Sequence, residues 1–178
     1  MTFRIEEGAP DPAEARELLS AIESADGVEP FGEAFVRGVE DPAAGHRHLR
    51  VLDDGSLIGL AGVSGDSAEL AIAADRRRRG AGTVLLEGVD RLVGKQLPVW
   101  AHGDVDGAAE LAAATGRRVV RELLQMTAPR DVVAGLADED APEGIRLEDL
   151  PAACARMGDD AVDEAWLAVN NEAFDWHP

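Results

Sequence analysis

The chain opens on a short extended run at residues 3–6 and then changes to helical spacing. Asp11 and Pro12 supply an N-cap and a first-turn proline, and Leu18, Leu19 and Ile22 fall on one helical face behind them. The run Asp26-Gly27-Val28-Glu29-Pro30 breaks this helix. Residues 31–39 predict a second, short helix, with Phe35 and Val39 one turn apart, which Asp41-Pro42 ends. Two apolar runs, 48–52 and 57–63, then flank Asp53-Asp54-Gly55, and aspartate followed by glycine between such runs signals a hairpin. A further strand at 67–73 follows the Gly65-Asp66 turn, so three consecutive antiparallel strands are expected.

From residue 83 the period returns to helical, with Val84, Leu85, Val89, Leu92 and Val93 on one side and Gly94 as the stop. Residues 98–102 read as a buried strand, 105–115 as an alanine-rich helix closed by Gly116, and 119–126 as a last strand. Strands that first run consecutively and then alternate with helices predict an α/β (α+β) fold, a mixed and mostly antiparallel sheet flanked by helices. That domain is expected to occupy residues 1–129. Acidic residues spread among alanine, glycine and proline mark 130–144 as an exposed linker. Residues 145–147 and 159–174, the latter carrying Val162, Trp166, Val169 and Ala173, repeat the opening strand-then-helix order, so 145–178 is expected to begin a second, incomplete domain.

Charge narrows the partners. The formal net charge is −18, which disfavours nucleic acid and anionic membranes because phosphate approaches such a surface at an electrostatic cost. No apolar run approaches the roughly 20 residues of a membrane span, and the N-terminus lacks the basic-then-apolar order of a secretory signal, so a cytoplasmic location is expected. Cys154 is the single cysteine, either an inert packing residue or a reactive thiol. The four histidines lack ligand spacing, and no metal is expected. Against this acidity the run Arg76-Arg77-Arg78-Arg79 stands out, as either a local anion site or a solvated basic loop.

The strand before those arginines ends in Glu69-Leu70-Ala71-Ile72, and the arginines lead through Gly80-Ala81-Gly82-Thr83 into an apolar helix. Glycines let a backbone approach a diphosphate closely, and a helix N-terminus offers it N–H donors and a favourable dipole. The run from Arg77 to Gly82 resembles the coenzyme motif of the GNAT acetyltransferases, written as Gln or Arg, two residues, Gly, one residue, then Gly or Ala. The resemblance implies acetyl-CoA as cosubstrate, gripped by Arg78, Arg79, Gly80, Ala81, Gly82 and Thr83. It also implies a strand splayed from its neighbour, so that main-chain groups of Leu70, Ala71 and Ile72 pair with pantetheine.

Four further blocks narrow it: Asp26-Gly27-Val28-Glu29-Pro30-Phe31-Gly32-Glu33, Trp100-Ala101-His102-Gly103, Arg121-Glu122-Leu123-Leu124-Gln125-Met126 and the stretch 169–178. Together they resemble the mycothiol synthases, which carry two tandem GNAT domains and acetylate the cysteinyl amine of cysteinyl-glucosaminyl-inositol. By that resemblance the chain holds the first domain, a degenerate module that still holds acetyl-CoA, and only the start of the second, which carries the acetyl transfer in that family, and Glu33 contacts the pseudodisaccharide. The alternative for Glu33 is a solvated carboxylate at a helix start.

Amide formation from a thioester needs a base for the amine proton and commonly an acid for the departing thiolate. Glu69 is a weak candidate for the base, against the alternative of a strand-end glutamate facing water. His102 is either a second candidate base or a structural residue beside Trp100. The usual acid of the family is a tyrosine, and the chain contains none. Binding of acetyl-CoA with slow or no turnover is therefore expected. A stand-alone acetyltransferase of another small amine or protein N-terminus, and a non-catalytic acetyl-CoA-binding module, remain alternatives. Trp166, Phe174 and Trp176 suggest apolar anchors, and so a monomer or a weak homodimer through the C-terminal tail.

Overall fold

A computed structural model describes residues 3–136 and 142–175, in two compact units, Met1–Glu122 and Leu123–Pro178. Asp138, Glu139 and Asp140 of the expected linker, and Trp176 of the tail, lie outside the described residues. The first unit is a five-stranded sheet whose spatial order follows the chain: β1 (Arg4–Glu7), β2 (Arg47–Asp53), β3 (Ser56–Ser64), β4 (Ser67–Ile72) and β5 (Val99–Trp100). The first four pair antiparallel and β5 joins β4 in parallel, the mixed and mostly antiparallel sheet that the sequence predicts. Helices α1 (Pro12–Asp26) and α2 (Glu33–Glu40) precede β2; α3 (Ala81–Val93) is the crossover to β5, and α4 (Ala108–Ala114) follows it.

Local chemistry sets these elements. Asp11 caps α1 by accepting the N–H groups of Ala13 and Glu14, and Gly27 ends it in the left-handed conformation at φ 73°. The β2–β3 turn places Asp54 and Gly55 at φ 49° and 84°, both positive as a type I′ connection requires. The sheet buries both faces. Leu49, Val51, Ile58, Val63 and Ile72 pack with Leu85 and Val89 of α3, whereas Leu60 and Ala71 pack with Leu18, Leu19, Ile22, Phe31 and Phe35 from the α1–α2 side.

Beneath α2 lies a histidine pair. Phe35 meets the His46 ring edge-on with centroids 5.4 Å apart, and His46 lies 6.2 Å from the buried His48 ring. His46 Nδ1 and His48 Nε2 are buried with no hydrogen-bond partner among the described residues. Burial, and then the neighbouring His46, hold the His48 imidazole below its ordinary value near 6.5. The unfolded chain therefore binds a proton on His48 before the folded protein does. Stability from this group is present above about pH 6.5 and falls as pH drops through the lowered folded value. Thermal melting is expected to lose several degrees between pH 7 and pH 5, and His48→Phe to flatten that limb.

Two strand expectations differ from the structure. Residues 119–126 form no strand: Val119, Val120, Leu123, Leu124 and Met126 are exposed and no ladder partner pairs with them, because β5 is only two residues long. A helix, α5 (Arg130–Leu136), lies within the stretch 130–144 expected as an exposed linker. Residues 145–147 form no strand either, and Ile145 and Leu147 are exposed.

The second unit also carries α6 (Leu150–Met157) and α7 (Asp159–Ala173), the latter the helix that the apolar spacing predicts. Asp149 caps α6, and Glu148 pairs with Arg156. Partial burial, and then a hydrogen bond and charge from Asp159, push the Cys154 thiol above its ordinary value, the opposite of an activated thiolate. Trp166, Val169 and Phe174 are exposed within the unit.

Candidate active site

The parallel ladder between β4 and β5 has two rungs, Ala68 with Val99 and Glu69 with Trp100, and stops there. On the other edge of β4 the pairing with β3 continues to Ile72 opposite Gly59, and the Ala73 N–H donates to the Ile58 carbonyl at 2.9 Å. Antiparallel pairs alternate in direction, so Ala71, two residues before Ala73, directs its N–H and C=O at Leu60. Leu70 and Ile72 direct theirs at the edge where β5 has diverged. Two of the three expected main-chain positions thus face the gap, and Ala71 contributes buried packing.

At the mouth of the gap the loop enters α3. Gly80 is the N-cap residue at φ 89°, and no side chain caps the helix. The Gly80 carbonyl accepts the Val84 N–H at 3.1 Å, so the N–H groups of Ala81, Gly82 and Thr83 form an uncapped first turn, the arrangement that takes an anion. A side chain at Gly80 would meet nothing within 4 Å but would have to adopt the left-handed conformation; one at Gly82 would make ordinary contact with Leu111 Cδ2 at 3.4 Å. Ala81 turns its methyl into the core, and α3 starts there rather than at Thr83.

The four arginines divide into two pairs. Arg76 donates to Asp53 at 2.8 Å, and Arg77 holds Asp26 through two bonds, Nη1 to Oδ1 at 2.8 Å and Nη2 to Oδ2 at 2.6 Å. The Arg77 Nε donates to the Ile72 carbonyl at 3.0 Å, closing the end of β4 onto the loop. The hydrogen bonds from Arg77, despite an opposing effect of burial and with its charge adding to them, hold the Asp26 carboxyl below the usual carboxylate range. Arg77, the first residue of the glycine motif, is therefore a clamp between β4 and the end of α1. Arg78, at φ 62°, and Arg79 are exposed beside Gly80, where an anion would meet them.

Glu69 does not face water. It is 3% exposed, and its Oε2 accepts the Gly32 N–H at 2.7 Å while Oε1 lies 2.9 Å from His102 Nε2. Its place opposite Trp100 puts this pair where β4 and β5 separate. A Cβ on Gly32 would sit 3.3 Å from Glu69 Oε1, tighter than most real contacts, so glycine lets this loop reach the carboxylate. Gly103, at φ 71°, approaches Val28 so closely that a Cβ there would fall 2.7 Å from Val28 Cγ1. The stretches 26–33 and 100–103 thus meet around Glu69, and the first is held at both ends, by Arg77 at Asp26 and by Glu69 at Gly32.

Glu33, the next residue, opens α2, is exposed, and accepts from Arg37 at 2.7 Å. It lies on the rim of a groove of about 370 Å³ between α1 and α2, with Glu23, Glu29 and Glu40 beside it and Phe31 and Val36 in the wall. Arg121 stacks over Trp100 at 5.9 Å from the ring centroid. No group of three or more potential metal ligands occurs among the described residues. No described helix is long and apolar enough to cross a membrane.

No family model matches the chain. An aminoglycoside acetyltransferase from a soil metagenomic sample, solved with trehalose, superposes with a TM-score of 0.51 at 16% identity, over 71% of this chain and 95% of that one. An acetyltransferase of the GNAT family from Streptococcus pneumoniae superposes with a TM-score of 0.50 at 12% identity, over 72% and 99%. In sequence, the mycothiol acetyltransferase of Corynebacterium efficiens is 40% identical over 164 residues, covering 90% of this chain and 52% of the relative. This chain is a GNAT-fold relative of the mycothiol acetyltransferases. The mycothiol acetyltransferase of Mycolicibacterium vanbaalenii is likewise 40% identical, over 169 residues. The chain spans about half the length of these curated relatives.

The chemistry-bearing residues that sequence reasoning missed are partners rather than candidates. Asp26 was visible only as a helix breaker; His102 was weighed as a candidate base, but its pairing with Glu69 was not. A usable signal was present, since a glutamate between Ala68 and Leu70 in an otherwise apolar strand needs a polar partner when that strand is buried.

Proposed function

We propose that this chain is an acetyl-CoA-dependent N-acetyltransferase domain whose acceptor is the cysteinyl amine of cysteinyl-glucosaminyl-inositol. The observation that carries the coenzyme half is a coincidence of two vacancies in hydrogen bonding. The uncapped amides of Ala81, Gly82 and Thr83 and the outer edge of β4 past its last β5 rung, where the Leu70 carbonyl and the Ile72 N–H point outward while Arg77 holds the Ile72 carbonyl, both lie at the end of β4. A diphosphate followed by an extended amide-bearing arm suits both, with Arg78 and Arg79 adding positive charge. The acceptor half rests on relatives named mycothiol acetyltransferase at about 40% identity. Glu33, on the acidic rim of the α1–α2 groove, is the residue proposed to meet the pseudodisaccharide. Residues 145–178 are proposed to belong to a further domain of the same family, and the protein is proposed to work in the cytoplasm without metal.

Turnover is expected to be slow or absent, since the chain has no tyrosine to protonate the departing thiolate. Calorimetry of the purified chain with acetyl-CoA is expected to give saturable heat, and mass detection with acetyl-CoA and cysteinyl-glucosaminyl-inositol to find little or no amide. Heat with acetyl-CoA but amide only from other amines would move the acceptor to a different small amine or a protein N-terminus. An absence of heat would remove the coenzyme reading itself.

A further inference from the structure

We propose that residues 27–32, the connection between α1 and α2, are a strap that couples coenzyme occupancy of the first unit to the position of Glu33. The coenzyme then acts there as a structural ligand, whether or not its acetyl group is transferred. The proposal rests on the coenzyme reading above. Both ends of the strap are fastened at the edge of β4 where that coenzyme would lie. Upstream, Asp26 takes two hydrogen bonds from Arg77, whose Nε closes the Ile72 carbonyl at 3.0 Å. Downstream, the Gly32 N–H donates to Glu69 Oε2 at 2.7 Å, on the last rung of the β4–β5 ladder. The two fastenings bracket the Leu70 carbonyl and the Ile72 N–H, the outward main-chain groups that pantetheine would pair with.

The middle of the strap reaches the other side of the gap. Val28 packs on Gly103, and His102 beside it lies 2.9 Å from Glu69 Oε1, so β4, the strap and the end of β5 meet around one buried carboxylate. Releasing the strap would strip that carboxylate of its Gly32 bond, an unfavourable change in a buried place. The downstream end carries the effect onward. The Gly32 carbonyl accepts the Phe35 and Val36 N–H groups at 2.9 and 3.0 Å, so the first turn of α2 hangs from the residue that Glu69 holds. Phe31, 1% exposed, meets Phe35 edge-on with ring centroids 6.2 Å apart and keeps strap and helix from moving separately. Glu33 is the first residue of that helix.

Two states follow, strap seated and strap released. A coenzyme arm along β4 needs the gap at the width that these fastenings set, so it binds the seated state better and raises its population. The coupling is reciprocal, and whatever Glu33 holds strengthens coenzyme binding by the same factor. Neither direction involves the acetyl group. Coenzyme A without it should serve equally.

Amide hydrogen exchange of the full chain tests this without turnover, read at early times, where local rather than global opening dominates, and with calorimetry confirming saturation by each ligand. Acetyl-CoA and coenzyme A are each expected to slow exchange over residues 28–36 about tenfold. Glu69→Gln keeps an acceptor for Gly32 and a donor for His102, so it should retain the effect. Glu69→Leu removes both and should bind coenzyme A within about tenfold of wild type, yet show no slowing at 28–36. Should Glu69→Leu not fold, Val28→Ala leaves both fastenings in place and frees only the middle of the strap; it should cut the slowing about threefold. Saturable heat with unchanged exchange at 28–36, slowing by acetyl-CoA but not by coenzyme A, or full slowing in Glu69→Leu or Val28→Ala would each overturn the strap and leave the coenzyme reading standing. Absence of heat with either ligand would remove the coenzyme reading and the strap with it.

Discussion

Asp26→Ala is expected to lower the stability of the first unit by about 2 kcal/mol, or about 8 °C in Tm, and to weaken acetyl-CoA binding in the same variant. The Asp26 and Arg77 side chains are 12% and 27% exposed and share two short hydrogen bonds. Breaking a fully buried pair costs about 3–5 kcal/mol, and the remaining exposure of Arg77 reduces that figure. Function suffers with stability because Arg77 also holds the Ile72 carbonyl, so a released guanidinium frees the end of β4 and the turn into α3 together. The pH dependence has a definite sign. The Asp26 carboxyl is held below its ordinary value near 3.8, so its contribution is complete above that value and is lost as pH falls through the lowered one. Melting scans from pH 6 to pH 3 should therefore show a shallower acid limb in Asp26→Ala than in wild type. Parallel curves would mean that the ion pair contributes nothing.

Gly80→Val should abolish measurable acetyl-CoA binding, a loss of at least 100-fold, while Gly82→Ala should keep it within a few-fold. The contrast follows from two backbone conformations. At φ 89° a β-branched residue is strained by about 1–2 kcal/mol, which the turn relieves by rotating away and taking the first amides of α3 with it. Nothing else blocks the side chain, since no heavy atom lies within 4 Å of a Cβ there, so the variant should still fold. At Gly82 an added methyl meets Leu111 at an ordinary 3.4 Å and the Ile72 side chain at 3.9 Å. Calorimetric titration of both variants is the measurement. Equal losses at the two positions would show that side-chain bulk, rather than the Gly80 turn, controls the site.

Much of the sheet was legible because its signals are local. Asp53-Asp54-Gly55 and Gly65-Asp66 fix the two hairpins within a few residues of the strands they join, and the structure places β2, β3 and β4 around them. The strand expected at 119–126 failed for a nonlocal reason. Its apolar content suits an edge position, but a strand exists only beside a partner, and the length of β5 is not written in residues 119–126. The glycine loop was legible as a loop, and its flanking cations were not separable by sequence. Arg76 and Arg77 are occupied by Asp53 and Asp26, which lie 23 and 51 residues away.

Glu69 shows the same limit from the other side. Taken alone, a polar residue near a strand end favours water; its burial follows from a histidine 33 residues later and an amide 37 residues earlier. The resemblance blocks at 26–33 and 100–103 contained both partners, yet nothing in their order along the chain shows that they converge.

The brevity of β5 would make the proposed coenzyme part of the architecture. A sheet that loses its neighbour after two rungs is an unfinished scaffold, and an extended thioester arm lying along Leu70 and Ile72 would serve as its missing sixth strand. If acetyl-CoA binds as proposed, its concentration would set how firmly the two halves of the sheet are joined, so that its scarcity would loosen the fold.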